Sequence, residues 1–301
     1  MGGYEDDVMS RGWFYLGIFC IVAGACGACV SETALDTWNG LSTGDLPPYV
    51  VDGKFEPYTF KDLLTPNWLG VDYEELTLEN DLGQPVHAWF LPVSDPVGTV
   101  LIHHGAVTNR SAAFGNYLFI RRFGYNVMVY DYQGFGENSN SADLGTIMAD
   151  SNAALRWLQS GVRPGTERIV LYGVSLGTLP TIAQAAAHPE NVVGIILEGS
   201  FTADSIQPWT YLLVGLLPWV IDVETEYPEL DSSVNIKKVS VPILFIQSRD
   251  DTVTPFAGAE QLYALARAPK QLTEVYGEHT TSWISDLRYA KILRDFLDSL
   301  P

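Results

Sequence analysis

The sequence predicts an α/β fold: a mainly parallel central sheet with helices on both faces. Three observations carry this. Short apolar runs rich in Val, Ile and Leu alternate with longer segments of helical period. Several of the runs are continuously apolar, as strands covered on both faces are. Gly, Pro, Asn and Asp punctuate the joins. With 301 residues, 47% of them hydrophobic, the chain is long enough to bury a full core, and one principal domain is expected.

The chain opens on an apolar stretch, Gly12 to Val30, that has no charged residue and is long enough to enter a bilayer. All three cysteines, Cys20, Cys26 and Cys29, lie in it. The rest of the chain therefore has neither a disulfide framework nor a cysteine metal site. Ala23-Gly24-Ala25-Cys26 resembles a bacterial lipoprotein lipobox, which implies cleavage before Cys26 and lipidation of its thiol. The alternative is an uncleaved membrane anchor. Either tethers the protein to a membrane, and the preferred reading is an exported cell-envelope lipoprotein. Residues 1–30 are thus assigned to signal or anchor, 31–53 to a Gly-, Pro- and Thr-containing tether, and 54–301 to the folded domain.

Within that domain Tyr73–Leu78 and Val86–Pro92 read as antiparallel opening strands joined by the polar turn Asn80-Asp81-Leu82-Gly83. The parallel strands are expected at Gly98–His103, Asn126–Tyr130, Arg168–Tyr172, Val192–Leu197, Pro242–Ile246 and Gln271–Tyr276. Helices are expected at Ala112–Arg122, Leu144–Gln159, Leu176–Ala187, Pro255–Ala266 and Trp283–Leu297. Functional groups in such a sheet gather beyond the carboxyl ends of the strands.

Gly173-Val174-Ser175-Leu176-Gly177 fits the G-x-S-x-G elbow, with a β run before it and an Ala-rich helical segment after. Small neighbours permit the strained turn that presents Ser175 above the sheet. Pro180, early in the following helix, loses no intrahelical bond only if it lies in the first turn. A serine hydroxyl needs a base, and among five histidines His279 is the candidate, since it follows the last strand and precedes the final helix. His188 reads as an exposed helix cap and His87 as a mid-strand residue facing solvent or a neighbour. His103 and His104 close a strand, and His104 reads as a packing residue that shapes the loop after it. The acid that orients His279 comes from Asp250-Asp251, only one of which can point inward; Glu198, at the end of another strand, is a further candidate.

From about Pro57 onward the chain resembles the α/β-hydrolase superfamily. It is most similar to the membrane-associated α/β-hydrolase domain-containing group, which includes lysophospholipid and monoacylglycerol lipases. Segments that carry the resemblance are Gly70-Val71-Asp72-Tyr73-Glu74-Glu75, Ala88-Trp89-Phe90-Leu91-Pro92, Tyr130-Asp131-Tyr132-Gln133-Gly134-Phe135-Gly136 and Leu197-Glu198-Gly199-Ser200-Phe201-Thr202. In that family the acid often stands four residues before a proline, which selects Asp251 ahead of Pro255. His104-Gly105 resembles the family's oxyanion loop, which implies that the N–H groups of Ala106 and Leu176 bind a developing oxyanion. Ala106 stands where relatives often carry Asn, and Gln133 where Arg is usual.

The resemblance implies hydrolysis of an ester, thioester or amide, with Ser175, His279 and Asp251 acting without metal or organic cofactor. A cap of about 202–235 is expected, and within it the apolar run Pro208 to Asp222 reads either as a lid or as a buried helix. As a lid it places Trp209 and Leu213 against an acyl or lipid-like small-molecule substrate. The alternatives are a serine peptidase or amidase of the same fold and a non-catalytic envelope protein that binds lipid or a partner. The net charge of −19, with no basic cluster, excludes nucleic acid as a partner.

Overall fold

The computed structural model describes residues 65–301, apart from 107, 139, 141 and 206–226, together with two short paired strands at 50–51 and 54–55. The expected signal and the lipidation site at Cys26 lie outside the described residues, as does the expected tether except for Val50–Val51, which pairs antiparallel with Lys54–Phe55. Trp209 and Leu213 also lie outside them. No helix among the described residues is long and apolar enough to cross a membrane.

Eight strands form the main sheet: β1 (Glu74–Glu79), β2 (Pro85–Leu91), β3 (Gly98–His103), β4 (Tyr125–Tyr130), β5 (Ile169–Val174), β6 (Val192–Glu198), β7 (Ile243–Ser248) and β8 (Lys270–Val275). Their spatial order is β1-β2-β4-β3-β5-β6-β7-β8. β1 pairs antiparallel with β2, and β2 antiparallel with β4; every later pairing is parallel. β3 and β4 are buried along their whole length, whereas edge strand β1 alternates between half-buried and exposed residues. The continuous apolar runs of the sequence are thus the central strands, covered on both faces.

Because side chains alternate along a strand, each strand feeds two cores. Leu101, Met128, Leu171, Leu197 and Phe245 enter one core together with Ile147, Leu155, Ile182 and Leu262 from α2 (Leu144–Gln159), α3 (Thr178–Ala187) and α4 (Phe256–Leu265). Val100, Ile102, Val129, Tyr172 and Ile246 enter the other, with Tyr117 and Ile120 of α1 (Phe114–Arg122) and Leu293 and Leu297 of α5 (Tyr289–Ser299). The layered architecture is the expected one.

Local signals explain the element ends. Asp143 caps α2 by accepting the Thr146 N–H at 2.7 Å while the Thr146 hydroxyl accepts the Asp143 N–H at 2.9 Å, a reciprocal capping box. In the β1–β2 turn, Asn80 Oδ1 accepts the N–H groups of Leu82 and Gln84, both at 2.9 Å. Its amide donates to buried Asp150 of α2 at 2.7 Å. Asp150 also accepts the Gln133 N–H at 2.7 Å, so this carboxylate ties the hairpin and the loop after β4 to one helix. Burial pushes Asp150 up to about 6.

Two expected helices differ. The one placed at Trp283–Leu297 is broken into a single turn, Ser282–Ser285, and α5 from Tyr289. Asp286 breaks it: its carboxylate accepts the backbone N–H groups of Arg288 (2.8 Å) and Tyr276 (3.1 Å), competing with helix continuation. The helix placed from Leu176 opens as a 3₁₀ turn, Ser175–Gly177, and becomes α-helical at Thr178. Pro180 therefore falls in the first α-helical turn, where a missing N–H costs no bond.

Candidate active site

Ser175 follows β5 directly and adopts φ of 53°, the left-handed region that a non-glycine residue rarely occupies. Its flanking glycines are required by close packing. A Cβ on Gly173 would lie 2.5 Å from both the Gly177 carbonyl oxygen and the Thr181 hydroxyl, and one on Gly177 would run into the His103 carbonyl. The tight strand-to-helix turn and its approach to β3 thus exclude any side chain at either position.

The loop after β8 brings His279 over this elbow. His279 Nε2 is 2.9 Å from Ser175 Oγ, and Nδ1 is 2.8 Å from Asp251 Oδ2. With Nδ1–H donating to Asp251, Nε2 is left as the acceptor for the serine proton. Gly199, after β6, makes room for the ring, since a Cβ there would lie 3.2 Å from His279 Cε1.

Asp251 sits in the loop after β7 inside a cage of donors. Oδ1 accepts the N–H groups of Val253 (2.9 Å) and Thr254 (2.8 Å). Oδ2 accepts the Thr254 hydroxyl (2.8 Å) and the Gln247 amide (3.2 Å) besides His279. Burial alone raises this carboxyl, but His279 and the Thr254 donors outweigh it and hold Asp251 below the ordinary carboxylate range. Asp250, by contrast, is exposed. Glu198 is buried but makes no hydrogen bond to His279; its Oε2 accepts the phenol protons of Tyr172 and Tyr289.

The remaining histidines take other places. His188 is the exposed C-cap of α3, and His87 lies half-buried with Nδ1 3.7 Å from Glu137. His103 bonds Tyr130 Oη at 2.6 Å. His104 packs against Tyr132, ring centroids 4.1 Å apart, and bonds the Gly105 carbonyl at 2.8 Å. Burial lowers them to about 3 and about 4 respectively, so both stay neutral near pH 7.

The loop that carries Ala106 lies against the elbow, because a Cβ on Gly105 would be only 3.4 Å from Ser175 Cβ. Leu176 is the second residue of the 3₁₀ turn, where an N–H has no acceptor within its own helix. Buried Arg110 anchors this loop: its N–H bonds Asp131 Oδ1 at 2.7 Å, and its guanidinium meets Glu137 (2.6 Å), Glu75 (3.1 Å) and the face of Trp89 (4.4 Å). Sequence reasoning did not single out Thr254, Gln247, Arg110 or Asp131 for these roles. A signal existed for Thr254, since an Asp followed at the third position by Thr is the pattern of a side-chain-capped turn.

A mainly parallel sheet flanked by helices, with serine, histidine and aspartate hydrogen-bonded in series at strand ends, is the α/β-hydrolase fold with the arrangement of a serine hydrolase. Residues 94–225 match the family described as serine aminopeptidase, S33. The uncharacterized protein YfhR of Salmonella typhi is 27% identical over 242 residues, covering 74% of this chain and 79% of its own length. The α/β-hydrolase domain-containing protein WAV2 of Arabidopsis thaliana is 28% identical over 244 residues, covering 74% and 77%. Among solved structures, the Pyrococcus furiosus esterase Pf2001 superposes with a TM-score of 0.68 at 17% identity, covering 81% of this chain and 97% of its own. The esterase domain of a Rhodothermus marinus protein gives 0.59 at 19% identity, covering 76% and 99%.

Proposed function

We propose that this protein cleaves a carboxylic ester or thioester of an acyl or lipid-like substrate through an acyl-enzyme on Ser175. The observation that carries the reading is the hydrogen-bonded series Ser175–His279–Asp251, with links of 2.9 and 2.8 Å. Ser175 Oγ attacks the carbonyl carbon as His279 Nε2 takes its proton. Asp251 holds the imidazolium in place, and the N–H groups of Ala106 and Leu176 receive the oxyanion. His279 then passes the proton to the leaving group, and water, deprotonated by the same ring, releases the acid.

Support for an acyl substrate comes from the apolar run Pro208 to Asp222 and the apolar N-terminal stretch. Trp209 and Leu213 are the proposed acyl contacts. The N-terminus is proposed to be a membrane tether lipidated at Cys26; mass spectrometry of the mature protein finding an unmodified N-terminus upstream of Gly12 would overturn the lipidation. Amide hydrolysis by the same triad is a second reading, favoured by the description of the matching family.

A panel of p-nitrophenyl esters of increasing acyl length, with a matched thioester and an aminoacyl amide, tests the proposal. Ester and thioester turnover that depends on chain length is expected, weakening when Trp209 and Leu213 are both replaced by Gln. Turnover of the amide alone would replace the ester reading by the second one.

A further inference from the structure

Four of the described residues other than glycine have a positive φ: Asp95, Ser175, Asn191 and Thr280. Asp and Asn tolerate that conformation, because their short polar side chains can bond nearby backbone. Ser175 is the nucleophile. Thr280, at φ of 54°, is the residue after His279, and a β-branched side chain there crowds its own backbone. Such strain persists only where the surrounding structure over-determines it.

The loop around Thr280 is fixed on both sides. Before it, the Tyr276 N–H donates to Asp286 Oδ2 at 3.1 Å, and Ser248 Oγ donates to the Gly277 carbonyl. After it, the Thr281 N–H and hydroxyl donate to the Glu278 carbonyl at 3.2 and 3.1 Å. The bond from the Thr281 N–H closes a four-residue turn with His279 and Thr280 at its centre. The second central position of this turn has positive φ, which Gly or Asn supplies with least strain. Threonine brings what both lack, a methyl group.

That methyl group lies beside the catalytic ring. The point that a Cβ on Gly199 would occupy is 3.2 Å from His279 Cε1, 3.3 Å from Thr254 Oγ1 and 3.4 Å from Thr280 Cγ2. The imidazole, the hydroxyl that bonds Asp251 and the Thr280 methyl group therefore converge on one notch at the end of β6. We propose that Thr280 is a positioning residue for the base: its methyl group, held at the Gly199 notch by a strained turn, keeps the His279 ring at 2.9 Å from Ser175 and 2.8 Å from Asp251. Thr280 acts through His279. Its consequence for turnover rests on the hydrolase reading, and its hold on the ring does not.

The test compares full-length wild type with Thr280→Gly, which accepts the left-handed turn and removes the methyl group, and with Thr280→Val, which keeps a methyl group on a β-branched side chain. Three quantities are read: kcat and KM on a p-nitrophenyl ester, the denaturation midpoint, and the far-downfield proton NMR resonance of His279 Nδ1–H in its short bond to Asp251. A misplacement of about 1 Å costs about 100-fold in rate, and a loosened ring that keeps Asp251 should lose less. The glycine variant is expected to lose about tenfold in kcat with KM unchanged and to show a broadened resonance. Its midpoint should be unchanged or raised, since the strain is relieved. Valine should restore both kcat and the resonance. A glycine variant with wild-type kcat and resonance would overturn the proposal, as would a valine variant as impaired as the glycine one. So would a glycine variant that does not fold, or whose midpoint falls along with its rate, because that is how a merely structural residue behaves. If wild type turns over no ester, the hydrolase reading falls and the resonance of the glycine variant still decides: broadening supports the role of Thr280, and a wild-type line overturns it.

Discussion

Replacing Thr254 by valine keeps the branched side-chain shape and deletes one hydroxyl from the cage around Asp251. Of the three donors on Oδ2, the Thr254 hydroxyl at 2.8 Å is as short as His279, while Gln247 at 3.2 Å is longer. A buried hydrogen bond to a charged group contributes about 1.5–3 kcal/mol. Oδ2 keeps two donors, so the lower half of that range applies, and a loss of about 2 kcal/mol at pH 7 is expected by chemical denaturation. Asp251 is held below its ordinary range by His279 and Thr254 against the effect of burial. A carboxyl depressed on folding contributes stability that is present above its unfolded value of about 4 and lost as pH falls through the folded value. In Thr254→Val burial gains ground and the folded value moves up towards the unfolded one, so the contribution lost on acidification is smaller and its loss is complete at higher pH. We expect kcat to fall about tenfold with KM unchanged, and Thr254→Ser to restore both stability and rate. A valine variant as stable and active as wild type, or a serine variant as impaired as the valine one, would refute the reasoning.

Two further predictions concern the scaffold. Gly177→Ala forces a methyl group onto the His103 carbonyl and should cost about 3 kcal/mol or more, read as a lowered denaturation midpoint; a midpoint within error of wild type would show that the elbow can retreat from β3. Asp150 is raised by burial to about 6, so its charge penalises the fold increasingly as pH rises from about 4 to about 6 and uniformly above that. Asp150→Asn should therefore gain on wild type by about 3 kcal/mol across that interval. A difference in stability that does not change with pH would mean that Asp150 is not titrating there.

The sheet was legible because its two faces are both apolar. Runs such as Val100-Leu101-Ile102 and Val127-Met128-Val129 carry no alternation, and a strand buried on both sides is the economical reading at that length. Gly98–His103 and Leu144–Gln159 fall where the sequence places them, the latter because Asp143 and Thr146 form a capping box. The split of the last helix was not legible, since the periodicity runs through Asp286 and only the folded chain brings the Tyr276 N–H to its carboxylate. At the site, Ser175 stood out by its glycines and His279 by its place after the last strand. Asp251 was separated from Asp250 by its distance to Pro255, and the fold points one inward and leaves the other exposed. What surrounds them was not legible. Glu198 takes its partners from 26 and 91 residues away, and Asp131 reaches Arg110 across 21. Such contacts follow from sheet order, which no local pattern in this chain encodes.

The central claim, that Ser175 is a nucleophile activated by His279, is tested most directly by covalent trapping. Full-length protein is treated with a fluorophosphonate probe and the modified peptide identified by mass spectrometry, with Ser175→Ala and His279→Gln alongside. The account predicts one adduct, on Ser175, absent from the alanine variant and formed at least about 1000-fold more slowly without His279. Folded wild type that takes no label, or that labels equally fast when His279 is replaced, would contradict it.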